Sequence, residues 1–116
     1  MQDFRNLKVW QKAHELALGT YRVTAEFPRE EVFGLRHSLR KTAVDIPAYI
    51  AEGAGKQRDE DFAGSLNYAL SLAVRLEYYA LMAHDLGFIE ASVFTDLSEA
   101  IIEVKKMLAG FKKTLN

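Results

Sequence analysis

The chain has 116 residues, 49% of them hydrophobic and 27% charged, with no cysteine and a formal net charge of −1. That length gives one domain over 1–116 with a core large enough to hold without staples. The composition excludes disulfides, thiolate metal sites and cysteine nucleophiles, offers no global attraction to nucleic acid, and contains no signal-peptide or membrane-spanning apolar run, so a cytoplasmic protein without membrane association is expected.

Four segments with helical periodicity are separated by three breaks. The first runs over 7–26, where Leu7, Trp10, His14, Ala17, Tyr21 and Thr24 recur at spacings of three and four. Asn6 is its expected N-cap, and it ends before Pro28, which disfavours helical geometry in the preceding residue. The second runs over 31–52 with a stripe of Leu35, Leu39, Thr42 or Ala43, Ile46 and Ile50. Pro47 cannot donate to the Ala43 carbonyl, so a kink is predicted there; two shorter helices with Asp45 capping the second are the alternative. Gly53, Ala54 and Gly55 end the segment, glycine reaching the left-handed conformation at low cost.

The third segment, 59–86, is the most regular. Asp59, Glu60 and Asp61 place a cap and negative charge at the positive end of the helix dipole. Phe62, Leu66, Ala69, Ala73, Leu76, Ala80 and Ala83 then form a heptad seam whose alanines permit close helix approach, and Gly87 closes the helix. The fourth, 90–115, carries Val93, Leu97, Ile101, Val104, Leu108, Phe111 and Leu115, with Lys105, Lys106, Lys112 and Lys113 toward its C-terminus. Short loops make consecutive helices antiparallel neighbours. The predicted fold is therefore all-α, an antiparallel up-down four-helix bundle with a proline-kinked second helix.

The third segment is more apolar than one bundle requires. Beside its seam it carries Tyr68, Leu70, Leu72, Val74, Tyr78, Tyr79, Leu81 and Met82, and Arg75 and Glu77 are its charges between Leu66 and Ala83. Monomers seldom expose large contiguous apolar patches, so a homo-oligomer is expected, with Tyr68, Leu72, Tyr78, Tyr79 and Met82 at the subunit interface. A third helix sunk more deeply in its own bundle is the plainer alternative.

Charge is also uneven: residues 1–58 carry a net of +3 and residues 59–116 a net of −4. Solvated faces account for this, while a sharper reading places a basic face on the first two helices. Arg36, Arg40, Lys41, Lys56 and Arg58 are its candidates for binding nucleic acid.

Signs of catalysis or metal binding are sparse. The residues three before His14, His37 and His84 are Gln11, Gly34 and Leu81, so the glutamate–histidine pattern of di-iron bundles is missing. Gly53-Ala54-Gly55-Lys56 lacks the preceding strand, the longer loop and the Ser or Thr of a phosphate loop. His37 and Ser38 are adjacent, but no acid is placed to orient the histidine. Glu52 and Glu77 lie in apolar surroundings and are expected to form structural ion pairs with Arg40, Lys41 or Arg75. No cofactor, no metal and no enzymatic activity are predicted.

The strings FRNLKVWQKAHELALGTY, FP with FGLRHSLRKTAVDIPAYIAEG, and LGFI are similar to those of the four-helix-bundle family of 23S rRNA intervening-sequence proteins. The pattern also resembles the accessory variability determinant proteins of diversity-generating retroelements. The likeness covers roughly Phe4 through Ile89, and the fourth helix matches in hydrophobic pattern alone. It implies an up-down bundle assembled into a homopentameric ring, nucleic-acid binding by some members, and no enzymatic activity. This chain departs from the pattern at Asp45 for serine, Tyr49 for asparagine, Lys56 for arginine, Ser71-Leu72 for Gly-Ser, and Arg75 for glutamate. Tyr49 and Leu72 remove polar side chains, Asp45 adds an acid, and the near-neutral net charge contrasts with the strongly basic retroelement relatives, so fold and assembly carry over better than nucleic-acid binding. The resulting expectation is a non-catalytic homo-oligomeric scaffold or adaptor for a protein or nucleic-acid partner. A nucleic-acid-binding module proper is the alternative.

Overall fold

The computed structural model describes residues 2–31 and 33–115; Met1, Asn116 and Val32, the last within the predicted second segment, lie outside the described residues. A 3₁₀ turn at Phe4–Asn6 leads into α1 (Lys8–Thr24), and a second at Arg29–Glu31 precedes α2 (Leu35–Ala54). Then come α3 (Asp59–Asp85) and α4 (Ala91–Thr114), with no strand among the described residues. Each helix packs on its chain neighbours and α1 also meets α4, so the four form a closed square with α1/α3 and α2/α4 as diagonals. The molecule is 43 Å along its longest axis, close to the ~40 Å expected of the 27 residues of α3 at about 1.5 Å each.

The seam predicted on α3 is buried in full, from Phe62 and Leu66 through Ala69, Ala73, Leu76 and Ala80 to Ala83. It packs against Leu39, Ala43, Ile46 and Ile50 of α2 and Leu97, Ile101, Val104 and Leu108 of α4. Each fully buried Leu or Ile there contributes about 1.5–3 kcal/mol. α3 lies close enough to α2 that Gly53 is buried against Phe62 and Ser65.

Helix α1 differs from the expectation. Its buried line is Val9, Ala13, Leu16, Ala17, Thr20 and Thr24, whereas His14 and Tyr21 are exposed and Leu7 and Trp10 half-buried. Ala13, Ala17 and the two threonines make most of that line small-sided. The two threonines are tolerated inside because each hydroxyl donates to the carbonyl four residues back, at 2.8 Å in both cases. The displaced aromatics pack along the flank, Trp10 stacking on His14 with ring centroids 4.9 Å apart.

The helix ends also correct the sequence reading. Asn6 closes the first 3₁₀ turn and does not cap α1; Leu7 occupies the N-cap position without a side-chain bond, and Asp3 instead accepts from the Arg5 amide at 3.0 Å. Gly34 holds the N-cap position of α2 without a side-chain bond, and Glu31 of the preceding 3₁₀ turn accepts from the Leu35 amide at 2.9 Å. α2 is one helix through Pro47 and not two, so Asp45 lies inside it and bonds Lys41 instead of capping. Gly55 at its C-cap stays right-handed, with φ −80°. The acids 59–61 occupy the first turn of α3, with Arg58 at the N-cap and no side-chain cap bond. Gly87 does close α3 in the left-handed region at φ 80°: its amide donates to the His84 carbonyl and that of Phe88 to the Ala83 carbonyl, a Schellman pair.

Candidate functional site

The C-terminal end of α1 and the first half of α2 enclose a shallow groove of about 290 Å³, lined by Tyr21, Arg36, His37, Arg40, Lys41 and Val44. Arg36 and Arg40 are four apart on α2 and share a face, as do His37 and Lys41 on the face beside it. Arg40 lies across Tyr21, its guanidinium carbon 4.5 Å from the ring centroid. Its Nε donates to the Thr24 hydroxyl at 2.7 Å and its Nη2 to the Tyr21 carbonyl at 3.2 Å. Arg36 reaches the Phe27 carbonyl through Nη2 at 2.8 Å, and its Nε is buried without a protein partner. Both guanidiniums thus satisfy carbonyls where the dipole of α1 is negative. Every acceptor they use is neutral, and among the described residues neither forms an ion pair, so no carboxylate neutralises either one. Lys41 differs. Asp45 accepts from its Nζ at 2.5 Å, and this hydrogen bond, with the carboxylate's charge, holds the ammonium above the usual lysine pKa.

The five basic residues singled out from sequence therefore divide. Arg36, Arg40 and Lys41 share the groove, while Lys56 lies past the far end of α2, whose last residue, Ala54, is about 20 Å from Lys41 along the axis. Lys56 donates to Ser65 Oγ at 3.0 Å, and Arg58 pairs with Glu60 and Asp61 of the first turn of α3. Both brace the α2–α3 turn, and of the two Arg58 is neutralised by carboxylates, whereas Lys56 meets the neutral Ser65 hydroxyl. Tyr21 and His37 complete the groove and were not marked from sequence. Tyr21 was placed in the core stripe, and its spacing from Arg40 is not a helical one.

The residues expected at a subunit interface divide as well. Tyr68 is 49% and Tyr78 57% exposed, and Val74 and Leu81 stand beside Tyr78 on the outward stripe of α3. Tyr79 and Met82 are half-buried. Leu72, in contrast, is buried in the chain's own core, because its position on the wheel turns it toward α2. Tyr68 meets Tyr49 of α2 with ring centroids 4.5 Å apart. Of the acids expected in ion pairs, Glu77 accepts from Lys105 of α4 at 2.8 Å, a partner other than Arg40, Lys41 or Arg75. Glu52 is exposed, and among the described residues neither it nor Arg75 forms an ion pair. The described residues contain no group of three or more His, Cys, Asp or Glu able to hold a metal, and no helix long and apolar enough to cross a membrane.

With this bundle and its flanking groove in view, one comparison decides the family. The model of the 23S rRNA-intervening sequence proteins matches residues 5–110. The chain belongs to that family. A protein of unknown function from the S23 ribosomal protein family of Bacteroides thetaiotaomicron shares the fold, with a TM-score of 0.81 at 23% identity. The alignment covers 90% of this chain and 98% of that one. At that identity the likeness is one of fold. No curated protein is significantly similar in sequence. For this intervening-sequence family member the match extends well into α4, where the sequence strings had shown hydrophobic pattern alone.

Proposed function

We propose that the chain is a non-catalytic subunit of a homo-oligomeric ring, a cytoplasmic scaffold or adaptor built from antiparallel up-down bundles bent at Pro47. The antiparallel order is supported at both ends of the α3/α4 pair: Lys112 donates to Asn67 Oδ1 at 3.0 Å, and His84 stacks on Phe94 with ring centroids 4.5 Å apart. The observation that carries self-association is the outward stripe of α3, where Val74, Tyr78 and Leu81 are each more than two-fifths exposed. A large apolar stripe with little charge is stable in water when a second surface covers it. A fivefold ring is what the family resemblance implies.

The test is the mass of the particle at micromolar concentration, by sedimentation or native mass spectrometry. The wild-type chain is expected as a single closed multimer, and Tyr78→Glu with Leu81→Glu as a folded monomer. A wild-type monomer overturns the proposal.

A second reading, binding of single-stranded nucleic acid, is favoured by Arg36 and Arg40, which no carboxylate neutralises, beside the exposed Tyr21 ring. A basic groove with an aromatic face suits a phosphate backbone carrying unstacked bases.

A further inference from the structure

A longer groove follows the seam between α1 and α4, the most sparsely packed edge of the square. Two cavities of about 440 and 450 Å³ share Arg22, Val23 and Val93 and so form one trough. Its floor is apolar, built from Leu16, Val23, Val93, Leu97 and Ala100. Its rim is acidic: Glu15, Glu26, Glu90, Asp96 and Glu103 stand against the cations Lys12 and Arg22. Lys12 is already engaged by Glu15 and Glu103, at 3.9 and 3.5 Å. From Lys12 to the end of α1 at Thr24 the trough runs about 18 Å, a little over three helical turns, with Glu26 just beyond.

Gly19 opens the middle of this trough. A β-carbon there would meet only Arg22 Nη2, at 3.8 Å, so the chain's own packing does not require glycine. Glycine inside a helix is about 1 kcal/mol less favourable than alanine. The missing side chain leaves room for something outside the chain.

We infer that the α1–α4 trough is a docking site for a cationic amphipathic helix of a partner protein. Charge complementarity selects that occupant. An apolar ridge meets the floor, and lysines or arginines on both flanks of the ridge meet the acidic rim. In the ring proposed above the α3 stripe must meet a different face of the next subunit, so this inference rests on that face not being the trough, and the particle mass of the trough variants tells the two apart.

The test uses two fluorescent peptides of about 14 residues with leucine at helical period, one filled in with lysine and one with glutamate. Anisotropy should show the lysine peptide binding and the glutamate peptide not. Gly19→Leu, which fills the trough, should weaken the lysine peptide by about tenfold or more. Gly64→Leu, at an α3 position with nothing within 4 Å of a β-carbon, should leave it unchanged. Glu26→Lys with Asp96→Lys should weaken it without touching the floor, which keeps the test intact should Gly19→Leu misfold by circular dichroism. Binding of neither peptide, equal binding of both, or full affinity in Gly19→Leu overturns the inference. So does a smaller particle for Gly19→Leu, which would assign the trough to a second copy of the chain.

Discussion

A β-carbon on Gly53 would lie 2.6 Å from Ser65 Cβ and 2.9 Å from Phe62 Cδ1, closer than folded proteins allow. Neither atom is the free end of a flexible chain, so α2 and α3 would have to part. Overpacking of this kind costs about 1–3 kcal/mol, against a gain of up to about 1 kcal/mol from alanine's better helix propensity. Gly53→Ala is therefore expected to be destabilised by about 1–2 kcal/mol in urea unfolding. Gly64→Ala, open on all sides, should be stabilised by up to about 1 kcal/mol. Equal effects at the two positions would show that propensity and not helix approach governs Gly53. At this scale the sequence was legible unevenly. Gly53 was marked as a helix end, but its close approach needed the neighbouring helix to be placed first. The same holds for Arg36 and Arg40, whose acceptors lie nine and sixteen to nineteen residues away.

Among the elements, α3 could be read residue by residue and α1 could not. The α3 seam alternates four and three with no competing register. α1 offers two interleaved lines at the same spacings, and its large aromatics mark the flanking one. Bulk weighs in such a reading, yet the buried line is the one with mostly small residues, among them two threonines whose hydroxyls the helix itself satisfies. Contact between elements also sets a titration. Tyr49 of α2 lies against Tyr68 of α3, and repulsion from the ionised neighbour, followed by burial, raises the Tyr49 pKa above the ordinary value of about 10. A group whose folded pKa is raised stays protonated in the folded chain while the unfolded one already ionises. Its contribution is present in full below the unfolded value and is lost as pH rises from about 10 through the folded one. Tyrosinate absorbance should show one group titrating late, and Tyr68→Phe should return it toward the ordinary range. An unchanged titration in that variant would mean that the α2–α3 contact does not govern Tyr49.

For the molecule as a whole, charge is sorted onto two edges of the square: the trough at α1/α4 is acidic, and the groove at α1/α2 is basic. The sequence showed an imbalance between its halves but could not assign charge to edges of the square, since both involve α1. One groove with two arginines that no carboxylate neutralises and a lysine that one does is a weak site for a polyanion. Repeated around the proposed ring it would become multivalent, and linked sites gain about 10²–10⁴-fold over single ones when one ligand reaches several. Binding of a short single-stranded RNA is accordingly expected of the multimer, falling steeply with salt as counterions are released. The monomeric Tyr78→Glu, Leu81→Glu variant keeps every groove residue and should bind about 10²-fold or more weakly, with a shallower salt slope. Arg36→Gln with Lys41→Gln should flatten the slope while leaving the particle mass unchanged. Anisotropy across a salt series separates the outcomes. Equal affinity of monomer and multimer would locate binding within one subunit, and no binding at low salt would leave the ring a scaffold for proteins alone.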